Sequence, residues 1–267
     1  MDGKPVAICR LKRVAADHRG DVDAYLPSAP EEKNGKRIAL VGAGPASLTV
    51  CNDLMPLGYE CEIFEKLDRA GGLMRVNIPS FRLPARVLDE EIDAILRMGV
   101  KVHFNTPIDS MASLLERGFD AVFVGSGAPR GKELDIPGRW DSDRIHIGID
   151  WLESVHFGHT TEIGERVLII GVGNTAMDCC RTSKRLGGTD VRVMARRGRG
   201  QFKASPWELE DAEEEQVEIV ENHAPRRFIV ENGVLVGMEF DRVEWYDDET
   251  GRQRSRTLET VVIPCDD

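Results

Sequence analysis

The chain has 267 residues, of which 46 are acidic and 35 basic, giving a formal net charge of −11 at pH 7. This length accommodates two domains that each bury a core, and the acidic balance argues against nucleic acid or an anionic membrane as the main partner. The apolar runs are too short to span a bilayer, and residues 1–4 lack the apolar stretch of a signal peptide, so we expect a cytoplasmic protein.

The N-terminal region combines a basic amphipathic helix, predicted over residues 6–17, with a linker that contains proline and glutamate over residues 26–35. The apolar stripe of this helix comprises Val6, Ile8, Leu11, Val14 and Ala15. A stripe of this kind suits packing against the first domain, and docking to a partner is the alternative.

From residue 37 onwards, short apolar strands alternate with helices. The predicted strands are 37–41, 61–65, 101–104, 120–124, 166–170 and 190–195, and the predicted helices are 45–57, 85–98, 110–117, 174–187 and 206–216. This alternation is typical of an α/β fold with a parallel sheet covered by helices on both faces. Residues 217–263 are predicted to form further β-strands joined by tight turns.

Two glycine-rich turns, one in each half of the chain, carry the main functional signal. The first is Gly42-Ala43-Gly44-Pro45-Ala46, between a strand and a helix. Gly42 permits the tight turn, and Gly44 lets the backbone approach a pyrophosphate that the N–H groups of the helix would bind. Glu65 ends the next strand, where an acidic residue binds the hydroxyls of a ribose.

The second turn, Gly171-Val172-Gly173-Asn174-Thr175, repeats this pattern. Here the next strand ends without a carboxylate and is followed by Arg196 and Arg197. Guanidinium groups at this position suit the 2′-phosphate of NADPH, so we expect NADPH to be preferred, with NADH as the alternative. A solvated basic loop is the other interpretation of the two arginines. Two dinucleotide sites in one chain indicate electron transfer between two bound cofactors.

The cysteines and histidines form no recognisable catalytic or metal-binding pattern. The six cysteines include no C-x-x-C pair and no zinc or iron–sulfur spacing, so we expect buried, reduced thiols and no metal site. We predict no general acid or base either, because hydride transfer between two cofactors depends on their positioning.

Several runs together carry a resemblance: Pro5-Val6-Ala7-Ile8, Gly42 to Ala46, Gly71-Gly72-Leu73 through Ile78-Pro79, Arg82-Leu83-Pro84, Gly171 to Asp178 and Arg196-Arg197. The runs from Gly171 to Asp178 and from Phe81 to Pro84 are specific, whereas the glycine turns alone are not. At these residues, over nearly its whole length, the chain resembles the small (β) subunit of bacterial NADPH-dependent glutamate synthase and its relatives, including the flavin half of dihydropyrimidine dehydrogenase. The resemblance implies two Rossmann-like domains, an NAD(P)H domain inserted in an FAD domain. We expect an N-terminal helix and linker over 1–36, the FAD domain over 37–145 and the NAD(P)H domain over 146–267.

The resemblance also implies a function: electrons pass from NADPH through FAD to the iron–sulfur centres of a larger partner subunit. By position, the residues that would bind FAD are Gly42, Gly44, Pro45, Ala46 and Glu65, and those near the flavin are Gly72, Leu73 and Arg82. The residues that would bind NADPH are Gly171, Gly173, Asn174, Thr175, Arg196 and Arg197.

Two family features are not found in the sequence. These are the cysteine-rich iron–sulfur motifs before the Pro-Val-Ala-Ile run and the C-terminal strand that closes the FAD site. We therefore expect an FAD domain that is incomplete at its C-terminus, within a longer protein. One alternative function is a disulfide reductase of the thioredoxin-reductase type, for which the adjacent Cys179 and Cys180 lack the usual C-x-x-C geometry. The other is a non-catalytic docking subunit that keeps one nucleotide site.

Overall fold

A computed structural model describes residues 6–267, so Pro5 and the N-terminal tetrapeptide used to argue against a signal peptide lie outside it. The helices are α1 (Ile8–Asp17), α2 (Pro45–Leu54), α3 (Leu73–Val76), α4 (Ala85–Leu96), α5 (Met111–Glu116), α6 (Gly148–His156), α7 (Asn174–Arg185) and α8 (Pro206–Glu214). The strands are β1 (Arg37–Val41), β2 (Glu60–Phe64), β3 (Lys101–His103), β4 (Ala121–Val124), β5 (Arg166–Ile170), β6 (Asp190–Met194), β7 (Glu218–Val220), β8 (His223–Glu231), β9 (Val234–Asp247) and β10 (Gln253–Pro264).

The chain divides into two compact units. The first comprises Met1–Ala70 and Asp89–Gly125, and the second comprises Gly71–Leu88 and Ser126–Asp267. Residues 71–88 therefore belong with the second unit, although they lie between two strands of the first unit in the sequence. The assignment of 37–145 and 146–267 to two nucleotides stays a prediction.

A parallel sheet in the order β3-β2-β1-β4 forms the centre of the first unit. Strand β1 pairs with β2 and β4, and its last residue, Val41, lies opposite Phe64 and Val124. The apolar core beside the sheet contains Phe64, Leu114 and Phe119. Because β1 and β2 end at the same level, the register places the residues after Val41 next to the residues after Phe64.

The second unit contains a parallel sheet, β5-β6-β7, and an antiparallel sheet, β8-β9-β10. Ile170 at the end of β5 pairs with Met194 at the end of β6. Met194 packs in a core cluster with Met238 and Phe240 of β9, so one apolar core joins the two sheets. The α/β class with parallel sheets is the predicted one and is confirmed.

Two helices depart from the predicted pattern. Helix α2 ends at Leu54, and a 3₁₀ turn at Met55–Leu57 replaces its predicted last turn. Pro56 explains this change, because it has no N–H to donate to the carbonyl four residues earlier. Helix α6 lies where no element was predicted, and its Trp151 and Leu152 pack with Cys179.

The N-terminal helix α1 forms as predicted, but its apolar stripe does not pack. Val6, Ile8, Leu11 and Val14 are 72, 60, 58 and 55% exposed, and no residue of α1 is buried. The expectation that this stripe contacts a core is therefore wrong for the described residues. Local periodicity specifies an amphipathic helix, whereas the surface that covers it depends on residues distant in sequence. Across residues 6–267, every helix is too short or too polar to traverse a bilayer.

Candidate functional site

The first glycine turn and Glu65 form one hydrogen-bonded group in the first unit. Gly42 has a φ of +92°, a backbone conformation that favours glycine. Glu65 is 5% exposed, and its Oε2 accepts a hydrogen bond from the N–H of Ala43 at 2.6 Å. Its Oε1 accepts another from the N–H of Leu67 at 2.9 Å. The structure thus brings the predicted ribose-binding carboxylate to the predicted pyrophosphate-binding turn.

Helix α2 begins directly after this turn. Gly44 is its N-cap residue and provides no side-chain cap, and Pro45 occupies the first helical turn. Pro45 and Ala46 are exposed. The first N–H groups of a helix lack intrahelical acceptors, so this end of α2 offers donors to solvent or to an anion.

The second glycine turn has the same local geometry, at the end of β5. Gly171 has a φ of +108°, and its N–H donates to the carbonyl of Met194 at 3.0 Å. The carbonyl of Val172 accepts hydrogen bonds from the N–H groups of Lys203 and Ala204, each at 3.1 Å. Residues 196–204 therefore fold back from the end of β6 onto the turn.

Asn174 fixes the end of that loop. Its Oδ1 accepts a hydrogen bond from the N–H of Ser205 at 2.9 Å. Asn174 therefore joins the loop to the start of α7, and its role in binding the nucleotide stays a prediction. Its neighbour Thr175 is exposed on the first turn of α7 and lines a cavity of about 600 Å³, together with Gly171 and Gly173.

Gly173 borders open space at the N-terminus of α7, where a ligand could lie. Its φ of −113° and ψ of 174° are accessible to any residue. A Cβ atom built on Gly173 meets nothing within 4 Å. Neither backbone strain nor packing thus requires glycine here, and the space before the N-terminus of α7 is open for a pyrophosphate.

Arg196 and Arg197 begin the loop after β6, and both are exposed. The guanidinium carbons of Arg196 and Arg197 lie 5.5 and 4.4 Å from the ring centroid of Trp245 on β9. Sequence reasoning missed Trp245, because 48 or 49 residues separate it from the arginines and no local pattern connects them. Only the folding of β9 beside the loop brings the three residues together.

Arg82 is held by carboxylates within the second unit. Its Nη1 donates to Oδ1 of Asp178 on α7 at 2.6 Å, and its Nη2 donates to Glu208 on α8. Asp178 and Glu208 are buried. Burial raises the pKa of Asp178 above its ordinary value, and the Arg82 guanidinium partly opposes that rise. The proximity of Arg82 to a flavin stays a prediction.

The residues around Arg82 anchor the same segment. The ring of Phe81 contacts two arginines. Its centroid lies 3.8 Å from the guanidinium carbon of Arg185 and 5.0 Å from that of Arg181. Gly72, with a φ of +54°, is the N-cap residue of α3, and Leu73 is the first residue of that helix. Gly72 and Leu73 therefore lie in the segment that packs with the second unit, and their role beside a flavin stays a prediction.

The adjacent thiols of Cys179 and Cys180 differ from those of a redox-active site. Cys179 and Cys180 are buried, and burial raises the pKa of both thiols, that of Cys180 to about 12. Because the thiolate is the reactive form, both thiols are poor nucleophiles. Cys9 is exposed, contrary to the expectation of buried thiols. Within the described part of the chain, no three His, Cys, Asp or Glu side chains cluster as a metal site would need.

Comparison with known proteins identifies relatives along nearly the whole chain. The pyridine nucleotide-disulphide oxidoreductase family matches residues 112–253. The chain is 36% identical over 271 residues to the NADPH-Fe(3+) oxidoreductase subunit beta of Geobacter sulfurreducens, a match that covers 98% of this chain and 40% of that protein. It is 32% identical over 269 residues to the glutamate synthase (NADPH) small chain of Azospirillum brasilense, covering 95% of this chain and 55% of that protein. The chain thus spans about half, or less, of the length of these relatives.

Solved structures share the fold at lower sequence identity. FprA of Mycobacterium tuberculosis, determined in complex with NADPH, superposes with a TM-score of 0.74 at 16% identity, covering 86% of this chain and 69% of FprA. A thioredoxin reductase of Lactococcus lactis superposes with a TM-score of 0.57 at 16% identity, covering 83% and 74% of the two chains. At these identities the likeness concerns the fold alone.

Proposed function

The chain belongs to the pyridine nucleotide-disulphide oxidoreductase family, and on this premise we propose that it binds FAD and NADPH in an enzyme that transfers electrons to a partner subunit. One observation carries the proposal. Two strand–turn–helix units occur in one chain, and a carboxylate follows the first unit where two arginines follow the second. This asymmetry suits two different dinucleotides.

The first unit has the residues that FAD requires. Glu65 would accept hydrogen bonds from the ribose hydroxyls, and Gly42, Gly44, Pro45 and Ala46 would line the pyrophosphate. The carboxylate already accepts one backbone N–H at each oxygen, and each oxygen has a second lone pair for a hydroxyl. Gly72, Leu73 and Arg82 are proposed to contact the flavin.

The second unit has the residues that NADPH requires. Gly171, Gly173, Asn174 and Thr175 would surround the pyrophosphate, and the open space at Gly173 supports this assignment. Arg196 and Arg197 would bind the 2′-phosphate. A hydrogen bond to a charged group contributes about 1.5–3 kcal/mol, so two such bonds favour NADPH over NADH by at least about a hundredfold.

The bound cofactors would carry out the redox chemistry, and the protein would bind and orient them. When bound, NADPH supplies an electron pair and FAD accepts it and can release electrons singly. The side chains named above hold and orient the two nucleotides. We assign no side chain a role as general acid or base.

We propose that the electrons go to iron–sulfur centres of a larger partner subunit. The Geobacter and Azospirillum relatives are named as a beta subunit and a small chain, which supports a subunit role. We also propose the cytoplasm as its location, as expected from the sequence. A disulfide reductase has less support, because the adjacent Cys179 and Cys180 are buried with raised pKa values.

Steady-state reduction of ferricyanide tests the proposal. The purified full-length protein, supplied with FAD, should use NADPH with a kcat/KM at least about a hundredfold above that for NADH. The Arg196→Ala/Arg197→Ala variant should lose this preference while NADH-dependent reduction remains. Arg226→Ala/Arg227→Ala, which removes two exposed arginines on β8, is the matched control and should keep it. An FAD-loaded protein that reduces ferricyanide with neither nucleotide would contradict the proposal.

A further inference from the structure

Trp245 on β9 contacts both arginines that follow β6. Both guanidinium groups lie over its ring, with the carbon of Arg197 at 4.4 Å and that of Arg196 at 5.5 Å from the centroid. Its Nε1–H also donates to the backbone carbonyl of Arg196 at 3.0 Å. One half-buried side chain thus contacts the backbone of the loop and the guanidinium groups of its first two arginines.

Two glutamines complete the support of Arg197. Its Nη1 donates to Oε1 of Gln201 at 2.6 Å and to Oε1 of Gln253 at 3.1 Å. Nε2 of Gln201 donates to the same oxygen of Gln253 at 3.1 Å. The amide oxygens orient the guanidinium without neutralising its charge.

Arg199, in the same loop, has carboxylate partners, unlike Arg196 and Arg197 among the residues that the structure describes. It donates to Glu213, and its Nε lies 3.8 Å from Oε1 of Glu221. Among the residues that the structure describes, no carboxylate lies within ion-pair distance of Arg196 or Arg197. The loop therefore carries one arginine used by the fold and two whose charge is available to an anion.

We propose that Trp245 is a positioning residue for nucleotide selection: it holds Arg196 and Arg197 beside the second glycine turn so that both bind a 2′-phosphate. This inference rests on the proposed NADPH site. A ring that covers the face of a guanidinium leaves the N–H groups at its edge free to donate to phosphate oxygens. A long side chain that is already fixed also loses less conformational entropy when it binds.

Binding of two small nucleotides tests this role. Adenosine 2′,5′-bisphosphate and 5′-AMP differ by the 2′-phosphate alone, so the ratio of their Kd values, measured by isothermal titration on the full chain, reports selection. Trp245→Leu should weaken binding of the bisphosphate about tenfold, because both ring contacts and the N–H donor are lost, and should leave the Kd of 5′-AMP unchanged. Trp245→Phe retains a ring and should recover most of the loss. A general structural defect would instead weaken the binding of both nucleotides.

The matched control is Trp140→Leu, which removes a tryptophan whose ring lies 4.5 Å from the guanidinium carbon of Arg139, a residue outside the loop. This control should change neither Kd. If Trp245→Leu does not fold, Gln253→Leu removes one acceptor of Arg197 and should weaken the bisphosphate alone, about threefold.

The double arginine variant distinguishes a failure of the proposed NADPH site from a failure of the positioning role of Trp245. Arg196→Ala/Arg197→Ala should bind the bisphosphate no better than 5′-AMP. If that variant keeps the preference, the proposed NADPH site is wrong. If it loses the preference while the foldable variants of Trp245 and Gln253 keep it, the positioning role is wrong and the site stands.

Discussion

At the scale of single residues, the two glycines of the second turn serve different purposes. Gly171, with a φ of +108°, has a conformation that side chains rarely adopt. Gly173 has ordinary dihedral angles and open space where a Cβ would lie. The backbone conformation therefore favours glycine at Gly171, whereas at Gly173 neither conformation nor packing does, which fits the proposal that a pyrophosphate lies there.

This difference predicts distinct effects of two alanine substitutions. Gly173→Ala should change the free energy of unfolding by less than about 1 kcal/mol, because the restriction of the unfolded chain by alanine offsets its poorer fit at the N-cap of α7. It should nevertheless weaken NADPH binding at least about tenfold, because the methyl group would occupy the space of the pyrophosphate. Gly171→Ala should lower the free energy of unfolding by about 1–2 kcal/mol. Urea denaturation and NADPH titration of each variant check this, and undiminished affinity in Gly173→Ala would count against the site.

Glu65 shows what residue-level patterns predict and what they miss. Its place after β2 follows from the spacing to the first glycine turn, and the structure puts it at that turn. Its hydrogen bonds to Ala43 and Leu67 were not predictable, because they depend on the conformation of two backbone segments. The same holds for Asn174, which was predicted to serve a ligand and accepts a hydrogen bond from Ser205.

At the scale of elements, Arg82 connects the segment before α4 to α7 and α8. The sequence marked the run from Phe81 to Pro84 as specific but did not reveal that Arg82 pairs with Asp178 and Glu208, which lie 96 and 126 residues further along the chain. The buried carboxylates need this cation, since an uncompensated charge away from water is costly.

Replacing Arg82 should therefore destabilise the second unit in a pH-dependent way. Arg82→Met leaves two buried carboxylates without their main cation and should cost about 3–5 kcal/mol of unfolding free energy at pH 8. The pKa of Asp178 is already raised in the folded protein, so its charged form costs stability above that pKa and protonation recovers it as the pH falls. Loss of Arg82 raises this pKa further, so the cost at pH 5 should be clearly smaller.

Denaturation of the variant and the wild type at both pH values measures the effect. The matched control is Arg192→Met, which removes a more exposed arginine on β6 that pairs with Asp190 and Glu218. A partly exposed pair of this kind contributes about 1 kcal/mol or less. An equal loss at pH 5 and pH 8 for Arg82→Met would show that the buried carboxylates do not cause it.

The other elements show which structural features the local sequence determines and which depend on contacts with distant residues. The strands that precede the glycine turns begin and end as predicted, because apolar runs and glycines act locally. Helix α6, the exposed stripe of α1 and the contact of Trp245 with the arginines were not predictable. Each depends on which distant surface an element meets, and periodicity does not encode that.

At the scale of the whole molecule, the sequence predicted the fold class and the family, and both are confirmed. Both predictions rest on short motifs and the spacing between them, which can be recognised in the sequence without knowing the fold. The division into compact units was less accessible. Residues 71–88 join the second unit through Phe81, Arg82 and Asn77, whose partners all follow residue 140 in the sequence.

The proposed function requires that NADPH reduce FAD on this protein. Anaerobic titration of the purified, FAD-loaded full-length protein with NADPH, followed by absorbance, tests it directly. We expect the long-wavelength flavin band to bleach in proportion to added NADPH, with an end point at equal amounts of NADPH and flavin. A flavin band that stays unchanged in excess NADPH, while both nucleotides are shown to be bound, would show that NADPH does not reduce FAD on this protein.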